Sequence, residues 1–244
     1  MELTHGSLFS GIGGFDLGFE RAGFKSLWQV EIDPYATKVL EKNFPDAKRF
    51  SDIRTVGKHN LATPTVITGG FPCQDISYVG TGKGLLGERS GLWKEMWRVV
   101  FELRPRFVVV ENTAALLFRG MGRVLGELSE IGCDAEWEVI SAEAIGAAHE
   151  RERAFIVAYP KSLARLQASK TIMPVGTRRV ASHHDCRLRW TEMAKPNWAI
   201  PESYTSRTID GIPRRVERSK CLGNAIVPQI AEFIAYQIKG VLEQ

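Results

Sequence analysis

The chain has 244 residues, 44% hydrophobic and 25% charged, the proportions of a globular protein long enough to bury a large core without staples. No apolar run approaches the ~20 residues that cross a bilayer, and no basic-then-apolar signal opens the chain, so no membrane partner and a cytoplasmic setting are expected. The net charge of +4 is unevenly placed, with +8 in residues 161–220 and −4 in the remainder, which points to contact with a polyanion, most simply nucleic acid.

Strand-like stretches fall near Ser7–Phe9, Leu27–Ile32, Lys48–Phe50, Thr65–Thr68, Arg106–Val110, Glu136–Ile140 and Ala154–Tyr159. Helical patterns lie between them. Gly91–Leu103 puts Trp93, Met96, Trp97, Val100 and Phe101 on one face. Ala114–Leu128 reads as a second helix, loosened by Gly120, Gly122 and Gly126. This alternation predicts an α/β fold with a doubly wound, mostly parallel sheet and helices on both faces. Residues 161–221 show no sustained period and are rich in Ser, Thr, Pro and Arg, with Trp190, Trp198 and Tyr204 interleaved. Regular structure returns at Asn224, a candidate helix cap, followed by Pro228 and a stripe of Ile230, Ile234, Ile238 and Leu242. The change in composition sets residues 161–221 apart from residues 1–160 and 222–244. The four cysteines, at 73, 133, 186 and 221, form no C-x-x-C pair, which argues against a disulfide framework or a structural zinc; no metal site is expected.

Open parallel sheets bind ligands outside the carboxyl ends of their strands. Polar and glycine residues fall there five times in order: Ser10-Gly11-Ile12-Gly13-Gly14, then Glu31 and Asp33, then Asp52, then Pro72-Cys73-Gln74, then Glu111-Asn112. A glycine turn lets backbone approach a ligand closely, although alone it is most simply structural. It is not a G-x-G-x-x-G fingerprint: position 16 is Asp, whose charge would repel a pyrophosphate. Glu31, twenty residues after Gly11, suits ribose hydroxyls. A nucleoside cofactor without phosphates fits better than a dinucleotide, and S-adenosylmethionine is the leading candidate.

The segments Leu8-Phe9-Ser10-Gly11-Ile12-Gly13-Gly14, Gly70-Phe71-Pro72-Cys73-Gln74, Glu111-Asn112 and Gly223-Asn224-Ala225-Ile226-Val227-Pro228 resemble the ordered motifs of the DNA (cytosine-5) methyltransferases. The resemblance covers about residues 6–160 and 207–240. It implies methyl transfer from S-adenosylmethionine to carbon 5 of a flipped cytosine, with Cys73 as nucleophile and Glu111 as the acid at ring nitrogen 3. Arg151 is expected on the exocyclic oxygen, with Arg153 as a brace. Phe9, Gly11 and Gly13 would line the methionine and ribose, Glu31 the ribose hydroxyls, Ile32 and Ile53 the adenine faces, Asp52 the adenine amino group, and Asn224 would close the site. For Ile32 and Ile53 plain core packing is nearly as good a reading. Two positions depart from the family pattern: His149 stands for the usual Gln, and Thr113 for the usual Val or Ile.

Five glycines between Cys73 and Leu92 read as a lid over the extruded base, with Ser77, Thr81 and Lys83 as DNA contacts. By the same resemblance residues 1–160 and 222–244 are expected to form the catalytic and cofactor-binding domain and residues 161–221 the target-recognition region, in which Arg187 and Arg189 are candidates for base edges and Arg214 and Arg215 for phosphates. That region is short by comparison with relatives. Its grip on double-stranded DNA is therefore expected to be small, or to be helped by a partner such as a restriction endonuclease or helper protein; the chain itself is expected to be a monomer. An RNA cytosine-5 methyltransferase and a catalytically silent DNA-binding relative are the alternatives.

Overall fold

The computed structural model describes residues 2–72, 91–147, 151–164, 173 and 221–243. Its seven-stranded sheet has the order β3-β2-β1-β4-β5-β7-β6. The strands are β1 (Thr4–Leu8), β2 (Lys25–Val30), β3 (Lys48–Phe50), β4 (Val66–Gly69), β5 (Phe107–Thr113), β6 (Cys133–Ser141) and β7 (Glu152–Pro160). The pairings from β3 across to β5 are parallel, and β7 runs antiparallel between β5 and β6. The strand order reverses at β1, with β2 and β3 to one side and β4 and β5 to the other, and an open sheet leaves a crevice at such a point. The expected doubly wound, mostly parallel architecture is present. β5 runs three residues beyond its apolar core, so Glu111 and Asn112 are strand residues opposite Phe155 and Ala154.

Helix α1 (Gly14–Arg21) carries Phe15 and Phe19 on its buried face. α2 (Pro34–Asn43) starts with Pro34 in its first turn and Asp33 as its cap, whose carboxylate accepts from the Tyr35 and Ala36 amides. α3 (Gly91–Leu103) buries Trp93, Met96, Val99, Val100 and Leu103. The predicted helix over Ala114–Leu128 is two helices, α4 (Leu116–Arg119) and α5 (Met121–Glu130), separated at Gly120, where an extended backbone is cheap and helix propensity is low. α6 (Lys161–Ala164) follows β7. In the last helix, α7 (Pro228–Leu242), Pro228 occupies the first turn and Ile230, Ile234 and Ile238 are buried, as the stripe predicts. Asn224 does not cap it: the cap is Val227, and Asn224 ends a separate helical turn over residues 221–224.

Two apolar layers sandwich the sheet. Trp93, Met96, Val100, Val124 and Leu128 pack with Ile67, Val108 and Val110 on one face. Phe15, Phe19, Ile230, Ile234 and Ile238 pack with Val66, Phe107 and Val109 on the other. α1 and α7 approach so closely that a Cβ at Gly14 would run into the Ile226 carbonyl, and one at Gly18 would run into Ala231 and the Pro228 carbonyl.

Candidate active site

A cavity of about 410 Å³ opens at the carboxyl ends of β1, β2, β4 and β5. Its first wall is the turn after β1. Phe9 and Gly11 adopt left-handed backbone at φ 54° and 55°, and Gly13 at 87°. Phe9 is the strained member, a non-glycine held in a conformation that such residues occupy mainly where function demands it. The Gly11 amide donates to Glu31 Oε2 at 2.7 Å, and the Asp33 amide donates to Glu31 Oε1 at 2.7 Å. Each Glu31 oxygen accepts one amide bond and keeps capacity for a second donor.

Asp52 caps the short 3-10 turn Ile53–Thr55, accepting from the Arg54 amide at 3.0 Å. That turn is held from behind by Arg98 of α3, whose Nη2 donates to the carbonyls of Ile53 and Val56, each at 2.9 Å. Arg98 also pairs with Glu95 and Glu102, each at 2.9 Å. The two isoleucines differ: Ile53 is buried, whereas Ile32 is 73% exposed at the cavity rim and is not a core residue.

The opposite wall comes from β5 and β7. Glu111 is buried, and burial pushes its carboxyl up to about 7, against the attraction of Arg153 and Arg151. Arg153 Nε lies 2.9 Å from Glu111 Oε1. Gly70 leaves room for this carboxylate: a Cβ there would sit 2.8 Å from Glu111 Oε2. Asn112 Nδ2 donates to the Phe71 carbonyl at 3.1 Å, fixing the chain just before Cys73, and Phe71 packs on Trp93 at a centroid distance of 5.3 Å. Arg151 points elsewhere: its guanidinium donates to the carbonyls of Gly223 and, at 3.0 Å, Ala225.

The cavity thus gathers Phe9, Gly11, Glu31, Ile32, Asp52, Ile53 and Asn224 with Glu111, Arg151 and Arg153. Gly13 is not among its lining residues; it caps α1, and a Cβ there would strike Phe44. Asp16 lies outside the lining as well. It is fully buried, accepts from Gln29 Nε2 at 2.9 Å, and has its carboxyl raised to about 6, first by burial. Its charge therefore faces the interior rather than a ligand phosphate, contrary to the expectation from sequence. Leu92 and Cys221 line the cavity without having been singled out from sequence. Leu92 was readable as the first turn of α3 after the glycine stretch; Cys221 carried only its nearness to Asn224. Cys73, His149, the loop residues Ser77, Thr81 and Lys83, and Arg187, Arg189, Arg214 and Arg215 lie outside the described residues.

A family model of C-5 cytosine-specific DNA methylases matches residues 3–185. The chain belongs to this family. Among curated relatives, the type II methyltransferase M1.HphI of Haemophilus parahaemolyticus is 37% identical over 166 residues, covering 63% of this chain and 45% of its own. M2.BsuMI of Bacillus subtilis is 34% identical over 160 residues, covering 62% and 41%. The chain thus spans under half the length of these relatives. A solved prophage-encoded DNA modification methyltransferase of E. coli is 29% identical with a TM-score of 0.57, covering 67% of this chain and 48% of that one. The methyltransferase EhMeth of Entamoeba histolytica superposes over 100% of both chains with a TM-score of 0.70; at 14% identity it supports the fold alone.

Proposed function

We propose that this chain is a DNA (cytosine-5) methyltransferase using S-adenosylmethionine. The observation that carries the reading is Glu111, a buried carboxyl raised to about 7 and paired with Arg153, on the wall of the cavity that also holds Glu31 and Asp52.

The cavity residues fit the cofactor. Glu31 retains acceptor capacity for two hydroxyls, Asp52 offers carboxylate oxygens for an amino group, and Ile53 and Ile32 offer apolar contact. Gly11, in the left-handed backbone that favours glycine, puts no side chain in the path of approach. When bound, the cofactor supplies the methyl group.

Cytosine carbon 5 is too poor a nucleophile to take a methyl group unaided. Addition of the Cys73 thiolate to carbon 6 makes carbon 5 enamine-like, and negative charge develops toward ring nitrogen 3 and the exocyclic oxygen. Glu111, with a carboxyl titrating near neutrality, donates its proton to nitrogen 3. Arg153, already beside that carboxyl, is the better placed guanidinium for the exocyclic oxygen, which reverses the order of the two arginines expected from sequence. After the methyl group is on carbon 5, water takes the carbon 5 proton, the carbon 6–sulfur bond breaks to release the Cys73 thiolate, and the proton on nitrogen 3 returns to the Glu111 carboxylate, restoring the aromatic ring and the acid.

The substrate is double-stranded DNA from which the cytosine is extruded, since ring carbon 6 is not open to attack within a stack. In this reading the chain acts as a monomer in the cytoplasm and works alongside a restriction endonuclease, the last of these being the pairing that the type II naming of two relatives suits. Among the described residues, no helix is long and apolar enough to cross a membrane. The test is incubation with duplex DNA containing 5-fluorocytosine and labelled cofactor. A covalent adduct through Cys73 is expected, and none with Cys73→Ala; methyl transfer surviving that substitution, or labelling of RNA in preference to DNA, overturns the reading.

A further inference from the structure

Arg151 directly precedes β7 and Arg153 is its second residue, two positions apart, the spacing that puts side chains on one side of an extended chain. They divide the work between two structures. Arg153 reaches Glu111, while Arg151 grips the carbonyls of Gly223 and Ala225. The next residue, Ile226, is a wedge. Its carbonyl and Cβ press against Gly14, the first residue of α1, directly behind the Gly11–Gly13 turn. On its other side, the Ile226 Cδ1 lies 3.8 Å from the position a Cβ would take at Gly70, the glycine that packs on Glu111.

We infer that Arg151 is a positioning residue that couples the two halves of the site: by clamping residues 223–225 it seats Ile226 between the cofactor turn and the Glu111 wall. A guanidinium fork holds two carbonyls in fixed relation, which an ammonium cannot do. Gly14 has no side chain to absorb a displaced neighbour, so a shift of the 223–226 segment is passed to the turn that donates to Glu31. The inference rests on the proposed cofactor site, and it gives the bracing role to Arg151 rather than to Arg153.

The experiment compares wild type, Arg151→Lys, Arg151→Ala and Arg153→Ala without DNA. Two quantities are read: S-adenosylmethionine affinity by calorimetry, and hydrogen exchange of the amides of residues 11–18 in the ligand-free protein. Arg151→Ala is expected to weaken cofactor binding at least tenfold and to speed exchange in residues 11–18 at least tenfold. Arg151→Lys, which keeps one carbonyl, is expected to fall between it and wild type. Arg153→Ala is expected to leave both within twofold of wild type. Exchange and affinity within twofold of wild type in Arg151→Ala overturn the coupling. If wild type itself does not bind S-adenosylmethionine, the proposed function fails, and the exchange measurement still decides the coupling.

Discussion

Arg153 Nε sits 2.9 Å from Glu111 Oε1, yet the Glu111 carboxyl titrates near 7 rather than below its usual range. Burial outweighs the ion pair because the carboxylate loses more solvation than one partly exposed guanidinium returns. The balance keeps a proton available at neutral pH on a group that must give one up.

The first prediction follows. If the acid form of Glu111 is the one required, kcat should fall as pH rises through about 7. Glu111→Gln should remove that limb and lower kcat by roughly 10²- to 10⁴-fold. Arg153→Ala removes an attraction that holds the carboxyl down, so any residual activity should keep its limb at higher pH than wild type. A pH–rate profile at saturating DNA and cofactor checks all three.

Glu31→Ala should weaken cofactor binding by about 1–3 kcal/mol, the cost of losing charge-assisted hydrogen bonds. The Glu31 carboxylate also ties the Gly11 and Asp33 amides together, so Glu31→Gln, which keeps one acceptor oxygen, should recover part of the loss. Calorimetry on the two variants separates ligand contact from the shape of the turn; equal, undiminished affinity in both would assign Glu31 a purely structural role.

A third prediction concerns the buried pair beneath the turn. His5 stacks on Phe19 at 4.6 Å, donates to or accepts from Thr68 at 2.9 Å, and lies 3.9 Å from Asp16. Burial lowers the His5 ring to about 3 and raises the Asp16 carboxyl to about 6. The signs oppose. The His5 contribution to stability is present above the unfolded value of 6.5 and is lost as pH falls toward 3, because only the unfolded chain protonates in that window. The Asp16 contribution is present below 3.8 and is lost as pH rises through 6. Denaturant titrations between pH 4 and 6.5 should therefore show a shallow slope in wild type. Asp16→Asn should make stability fall toward acid, and His5→Asn should make it fall toward neutral pH by as much as about 3 kcal/mol.

Gly18→Ala offers a fourth test. In an exposed helix interior this change gains about 1 kcal/mol. Here the new methyl would meet Ala231 and the Pro228 carbonyl, so a net loss of about 1–3 kcal/mol is expected, the range for overpacking. Gly11→Ala meets no atom within 4 Å and is strained only by its φ of 55°, so its thermal midpoint should drop less.

The strand count and the α3 boundaries were legible because buried strands read as short apolar runs and α3 as a sustained helical period. So was the order of site residues along the strand ends, since topology alone collects them in one crevice. Other features depend on three-dimensional facing and leave no local mark. The sequence around Asp16 does not say that its carboxyl turns inward to Gln29. Nor does Arg-x-Arg spacing say which guanidinium reaches Glu111 and which reaches back to Gly223. Asn224 has the composition of a helix cap, but the helix starts later because the 221–224 turn intervenes and Pro228 is suited to a first turn.

The contact of α1 with α7 also bears on how the chain is made. Gly18 and Ala231 touch across most of the sequence, so the apolar underside of α1 emerges from the ribosome early and its cover emerges late. At about 5–20 residues per second that interval is roughly 10–40 s, during which Phe15 and Phe19 lack their α7 partners. The face of the sheet that packs on α3 and α5 can close over its own core meanwhile, whereas the other face waits. Nascent chains arrested before residue 228 should accordingly recruit holdase chaperones through α1 and release them once α7 is synthesised.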